Sequence, residues 1–119
     1  MLNLDTHILV HALSGELTSR ERSLLAREQW SISAIVLWKL VKLVQLGRIE
    51  LDLDDPQFQT VLSGTHIWPI TLAVCRATGD LDFKADPADE LIAATSLVHD
   101  IPLVTRDRRI RRSRIVPLT

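Results

Sequence analysis

The stretch DPADELIAATSLVHDIPLVTRD, residues 86–107, reads as turn, helix, buried strand and acid in succession. A loop rich in turn residues, LDFKADP, leads into ADELIAATSLVHD, where Leu91, Ile92, Thr95 and Val98 recur on one helical face. IPLVT then forms a short apolar run of the kind a parallel sheet buries on both sides, and Asp107 follows its end. A helix feeding a buried strand is part of a βαβ unit, which predicts the same alternation elsewhere in the chain.

Read outward from this unit, the alternation continues. MLNLD is a short buried strand and THILVHAL the helix after it, with Asp5 or Thr6 as N-cap. In SGELTSRERSLLAREQ a second helix opens at Thr18, because Thr18 and Glu21 have capping-box spacing. WSISA alternates as a strand, and Ser33 caps a long helix that stops at Gly47 and buries Val36, Leu37, Leu40, Val41 and Val44. DDPQFQTVLSG predicts a helix with Asp55 as cap and Pro56 at its first position. HIWPI is a strand, TLAVCRATGD a helix ending at Gly79, RDRRIRR a basic helical turn, and IVPL a final edge strand. The expectation is one α/β domain over residues 1–119, three layers α/β/α, with a mainly parallel sheet.

At 119 residues and 46% hydrophobic content, such a domain buries about two-thirds of its unfolded surface. The single cysteine, Cys75, excludes an intramolecular disulfide, reads as a buried small hydrophobe and suits a reducing cytoplasm. MLNLDTHILV carries no basic leader, and no run approaches the ~20 apolar residues of a membrane span, so a cytoplasmic protein without membrane attachment is expected. The net charge of -1 conceals a division: acids prevail from Glu50 to Glu90, whereas Arg106, Arg108, Arg109, Arg111, Arg112 and Arg114 crowd the end. That basic end either meets phosphates or forms a solvated face.

Ligand sites in open parallel sheets lie outside the carboxyl ends of the strands, and three acids fall there. Asp5 ends the first strand, Asp107 follows the last buried one, and Asp89 stands in the first turn of its helix, with Asp86 three residues before it. Converging carboxylates repel and call for a cation, and Mg²⁺ or Mn²⁺ prefers oxygen ligands. Metal-assisted phosphodiester hydrolysis is the corresponding chemistry. Each acid also has a structural reading: Asp86 and Asp89 as caps of their helix, Asp107 as cap of the basic turn.

Taken together, LDTHILVHAL, SISAIVLWKL with LGRIEL behind it, DPADELIAATSLVHDIPLVTRD and the closing VPL resemble the PIN-domain nucleases, specifically the VapC-type toxins of bacterial toxin-antitoxin pairs. The resemblance covers essentially the whole chain in order. It implies an α/β/α fold, four acids holding Mg²⁺ or Mn²⁺, endoribonuclease action on RNA, a homodimer, and silencing by a VapB-type antitoxin. Asp5, Asp89 and Asp107 match three of the acids and thus the metal ligands. Thr6 and Thr105 are neighbouring hydroxyls suited to hold a carboxylate or a metal-bound water, Asp86 is an additional acid, and Arg106, Arg108, Arg109, Arg111 and Arg112 are the candidate RNA contacts.

The second acid is absent, Asp5, Asp89 and Asp107 matching the first, third and fourth. Relatives usually read WEL or WEI where this chain has Trp38-Lys39-Leu40, so Lys39 falls on the glutamate position. An ammonium for a carboxylate changes the site charge by two units, and at about 4 Å in an effective dielectric of about 20 one unit interaction is worth about 4 kcal/mol. Three accounts follow: a degenerate cleft that binds without cutting, an introduced inactivating change, or a metal retained by the remaining acids with Lys39 turned aside. Lys39 lies among Ile35, Leu43 and Leu46 on the wheel, where a lysine needs a partner. The expectation is therefore that it enters the cleft and pairs with Asp5, Asp89 or Asp107.

Other signals are weaker. His7 and His11 have helical i, i+4 spacing, but no HExxH glutamate or third ligand accompanies them for zinc. His66 and His99 read as structural or solvent-facing, and Trp30, Trp38 and Trp68 as packing residues rather than base-stacking platforms. No GxGxxG or GxxxxGK[ST] pattern supports a dinucleotide or P-loop site.

Overall fold

A computed structural model describes all of residues 1–119. Four short parallel strands form the sheet: β1 (Leu2–Leu4), β2 (Trp30–Ser33), β3 (His66–Trp68) and β4 (Leu103–Val104), in the order β3-β2-β1-β4. Helices α1 (Thr6–Ser14) and α2 (Ser19–Arg27) join β1 to β2, and α3 (Ala34–Gln45) and α4 (Pro56–Ser63) join β2 to β3. From β3 the chain passes through α5 (Leu72–Ala77) and α6 (Pro87–His99) to β4, and ends in the single turn α7 (Arg108–Arg111). The sheet is flanked by helices in the three-layer arrangement the alternation predicts.

Register and burial explain why the strands can be so short. Asn3 of β1 pairs with Ser31 on one side and Leu103 on the other, so β1 is hydrogen-bonded along both edges. Leu4, Ile32 and Leu103 are fully buried, and with Ile8, Leu9, Val36, Leu40, Ile92 and Ile110 they belong to one continuous core. Asn3 is buried too, and its Nδ2 donates to Ile92 O at 3.1 Å and Ser96 Oγ at 2.9 Å, tying the central strand to α6. A buried amide with these bonds fixes the position of α6 over β1.

Caps set the helix boundaries. Thr18 Oγ1 accepts from Glu21 N while Glu21 Oε1 accepts from Thr18 N, the reciprocal box predicted for α2. Ser33 Oγ accepts from Ile35 N to open α3, which closes at Gly47 with φ 68°, the left-handed conformation glycine adopts without Cβ strain. Asp55 caps α4 with Pro56 behind it. Helix α6 begins at Pro87, one residue ahead of the predicted segment, with Asp86 at the N-cap position but making no capping bond.

Several expectations give way. IVPL forms no strand: only Leu118 bridges to Leu103, because Pro117 lacks an N–H and offers just its carbonyl, to Leu103 N at 2.9 Å. On α6 the buried residues run from Ile92 to Ser96 and Val98 is exposed, since Ala94 and Leu91 pack on α5 while Ile92 and Ala93 join the main core. Cys75 is exposed, because Val74 and Ala77 take the inward positions of α5. On α3 only Val36 and Leu40 are fully buried, and Trp38 is 54% exposed with Lys42 Nζ 5.9 Å from its ring centroid. Trp30 and Trp68 are half-buried, and Trp68 stacks on His99 with ring centroids 3.9 Å apart.

Candidate active site

The strand order places a crevice. From β1 the chain steps outward to β2 and β3, then returns to lay β4 on the other side of β1, so the carboxyl ends of β1 and β4 flank a switch point. A cavity of about 500 Å³ opens there, walled by Asp5, Lys39, Asp86, Asp89, Arg106 and Asp107. Each comes from the end of a strand or the first half of a helix packed on it.

Asp5 leaves β1 as the N-cap of α1 and is buried. Its Oδ1 accepts from Thr6 N at 2.8 Å and its Oδ2 from Thr105 Oγ1 at 2.7 Å. Burial pushes its carboxyl above the usual range, against the two hydrogen bonds that favour the ionised form; the nearby Asp89 also raises it, and Lys39 lowers it. Thr105 Oγ1 in turn accepts from Asp107 N at 3.0 Å, so one hydroxyl links the first acid to the loop bearing the last. Thr6 takes part through its backbone; its own hydroxyl is buried without a partner. Asp107 caps α7, with Oδ1 accepting from Arg109 N at 2.8 Å and Ile110 N at 3.2 Å.

Lys39 reaches across from the second turn of α3, and its Nζ lies 2.6 Å from Asp89 Oδ1 in the first turn of α6. Both side chains are 18% exposed. The ammonium thus stands among the acids, and Asp89 is spent on it rather than on a helix cap. The donor set present here does not fit a divalent cation, since no three Asp, Glu, His or Cys side chains are grouped to hold one. A hard cation takes about six oxygen ligands, whereas both oxygens of Asp5 bind protein donors and Asp89 faces a positive charge.

The arginines divide. Arg108, Arg109 and Arg112 line a second hollow of about 480 Å³ that shares Asp86, Asp89 and Asp107 with the first. Arg106 is committed elsewhere: Nε and Nη2 donate to Glu21 at 2.9 and 2.6 Å, and Nη2 also to Glu16 O at 3.1 Å. The Arg106 guanidinium is the main reason the Glu21 carboxyl is pulled down to about 2. Arg111 donates to Thr119 O at 3.0 Å and lines neither hollow. Four of the five candidate RNA contacts therefore line a cavity shared with the acids, Arg106 the first and Arg108, Arg109 and Arg112 the second, although Arg106 and also Arg109, whose Nη1 donates to Lys84 O at 2.6 Å, are tied to protein.

His7, His11, Leu43 and Arg48 complete the cleft wall, and sequence reading did not place them there as a group. Their signals were present: His7 and His11 share a helical face directly after Asp5, and Arg48 follows the left-handed turn at Gly47, its N–H donating back to Leu43 O at 2.9 Å.

The PIN domain family matches residues 3–115. A ribonuclease VapC22 of Mycobacterium tuberculosis is 33% identical over 90 residues, covering 73% of this chain and 69% of the relative. Among solved structures, the VapBC2 complex of Rickettsia felis bound to a promoter DNA fragment aligns with TM-score 0.71 at 25% identity, over 100% of this chain and 98% of the matched one. A toxin-antitoxin complex from Klebsiella pneumoniae gives TM-score 0.71 at 21% identity, over 94% and 91%, a likeness of fold. With parallel sheet, switch-point crevice and converging acids in agreement, the chain belongs to the PIN-domain family and, within it, to the VapC type.

Proposed function

We propose that this chain is the toxin half of a toxin-antitoxin pair, an RNA-directed PIN-type endoribonuclease whose Mg²⁺- or Mn²⁺-dependent cutting is reduced or lost at Lys39. The observation that carries this reading is the 2.6 Å contact between Lys39 Nζ and Asp89 Oδ1 inside the acid cleft. Nucleases of the family generally depend on a divalent metal, which activates water and offsets charge on phosphoryl oxygens. In this chain Asp5, Asp89 and Asp107 would be the residues for that role once the ammonium that neutralises Asp89 is replaced. Arg108, Arg109 and Arg112, beside the acids, are placed to take the RNA backbone.

The partner is a VapB-type antitoxin; relatives of the same fold were solved as such complexes. The unit is a homodimer in the cytoplasm, and the exposed Ile67, Ile70 and Leu72 supply apolar surface for assembly. The same Lys39–Asp89 contact favours a second reading, a PIN-like pseudo-nuclease that binds RNA or antitoxin without cutting.

The experiment is Lys39→Glu. Mn²⁺ binding followed by electron paramagnetic resonance and RNA cleavage in Mg²⁺ or Mn²⁺ are both expected to rise, cleavage by at least tenfold. Equal binding and cleavage in the two forms would remove Lys39 from the account, and RNA bound but uncut by both forms would establish the pseudo-nuclease.

A further inference from the structure

The loop before α6 presents an aspartate that its own helix does not use. Asp86 stands at the N-cap position of α6, where an aspartate ordinarily accepts from a first-turn N–H, yet its carboxylate accepts no capping bond. Glu90 closes the turn instead: its Oε2 accepts from Ala85 N at 3.0 Å, and its own N–H donates to Asp86 O at 3.0 Å. Lys84 O is held in turn by Arg109 Nη1 of α7 at 2.6 Å. The backbone around Asp86 is thus pinned to both α6 and α7, while its exposed side chain lines both hollows. Three carboxylates and three guanidinium groups line the second hollow, of about 480 Å³. Asp89 has one oxygen on Lys39, and Asp107 has one on Arg109 N and Ile110 N. Asp86 alone of the three keeps both oxygens free of protein donors.

We propose that Asp86 reads an unpaired guanine of the RNA in the second hollow, while Arg108 and Arg112 hold the phosphates beside it. This deepens the RNA-directed reading and rests on it. Guanine alone among the RNA bases presents two adjacent donors, N1–H and N2–H, on its Watson–Crick edge, and two adjacent donors match the two free oxygens of one carboxylate. Adenine and cytosine each set one amino donor beside a ring nitrogen whose lone pair would face the second oxygen. Uracil has a single donor between two carbonyls. A free carboxylate therefore accepts guanine and repels the other three. Arginines by themselves would hold any sequence through its backbone; the acid among them supplies a choice of base. Because a Watson–Crick edge is open only in an unpaired base, the ligand is a single strand or a loop.

The test measures binding by anisotropy, with the full chain in EDTA to suppress metal-dependent cutting. The probes are fluorescein-labelled oligouridylates, unmodified or carrying one guanine, inosine, adenine or cytosine at the centre. Guanine should tighten binding by about 10-fold or more over adenine, cytosine or uracil, and inosine, which lacks the N2 amino group, should lose about fivefold of that gain. Asp86→Asn offers one acceptor and one donor in place of two acceptors, so the ratio of guanine to adenine affinity should fall to about one or below. The ratio is the readout, because removing a negative charge raises affinity for every strand alike. Asp52→Asn, in a groove apart from both hollows, should leave the ratio unchanged, and thermal melting of each variant checks that it folds. Equal binding of all five strands overturns the guanine site and leaves an RNA-binding cleft. A guanine preference that survives in Asp86→Asn overturns the role of Asp86, and no binding of any strand overturns the RNA-directed reading as well.

Discussion

Two ion pairs border the cleft, and they are built differently. Glu21 holds Arg106 through two hydrogen bonds, and the same carboxylate closes the capping box of α2 by accepting from Thr18 N. Asp89 holds Lys39 through one contact and has no other donor. The first pair is over-determined: helix start, side-chain fork and the Arg106 bond to Glu16 O all specify one geometry, locking the loop between Thr105 and Asp107 against α2. The second is specified only by two side chains that face each other across a cavity. A pair woven into backbone caps is architecture, whereas one standing alone among acids is open to exchange for other chemistry.

The sharpest break in that comparison is Glu21→Ala. It leaves Thr18 N and the Arg106 guanidinium without their acceptor, and with a cap worth about 1 kcal/mol and charge-assisted bonds about 2, the expected loss is about 3 kcal/mol, read as a midpoint shift in urea. Acid titration tests the same pair with a worked sign. The Glu21 carboxyl, at about 2 in the fold against an ordinary 4.5, contributes stability that is present above pH 4.5 and lost as pH falls through about 2. Because Arg106 is more than a third exposed, screening leaves roughly 1 kcal/mol to that window. Glu21→Gln should flatten stability between those limits. Asp5 works the other way: its carboxyl is raised by burial, so its contribution is greatest at low pH and fades as pH rises. A wild-type curve as flat as that of Glu21→Gln would show that the Glu21–Arg106 pair is no anchor.

Next in size is the pair in the cleft. Lys39→Met leaves Asp89 facing Asp5 with no counter-charge, and Asp89→Asn removes the ammonium's direct partner; each is expected to cost about 2 kcal/mol, less than a fully buried pair because both side chains keep some solvent contact. The double variant Lys39→Met/Asp89→Asn should recover most of that cost, since neither charge is then left alone. Simple addition of the two single losses would mean that the contact is incidental.

This contrast also accounts for what the sequence disclosed. The capping box and the strand-end acids depend on short spacings or on strand ends, so they are legible, whereas the glutamate position assigned to Lys39 is what the resemblance to the family implies. That Glu21 binds Arg106, 85 residues away, is not legible, because nothing in a capping box says what else its carboxylate touches. Cys75 and Trp38 were misplaced for a related reason: α5 and α3 carry apolar residues around much of their circumference, and only packing decides which of them face the core. That His7 and His11 share a cavity with Lys39 is not legible either, because it depends on α1 and α3 meeting across the sheet's end.

The smallest effect separates the arginines that line the second hollow from those that do not. Arg106 and Arg111 are bound to protein acceptors away from the second hollow, whereas Arg108 and Arg112 line it beside Asp86, Asp89 and Asp107. On the proposed reading, RNA entering the cleft would meet Arg108 and Arg112 but not Arg111. Each lost contact to a single strand lowers the slope of log affinity against log salt by about 0.7. Arg108→Ala and Arg112→Ala should each reduce the slope by that amount with little change in stability, and Arg111→Ala should leave it where it was. A slope reduced equally by all three would mean that the basic end attracts RNA as a diffuse charge, with no preference for the wall shared with the acids.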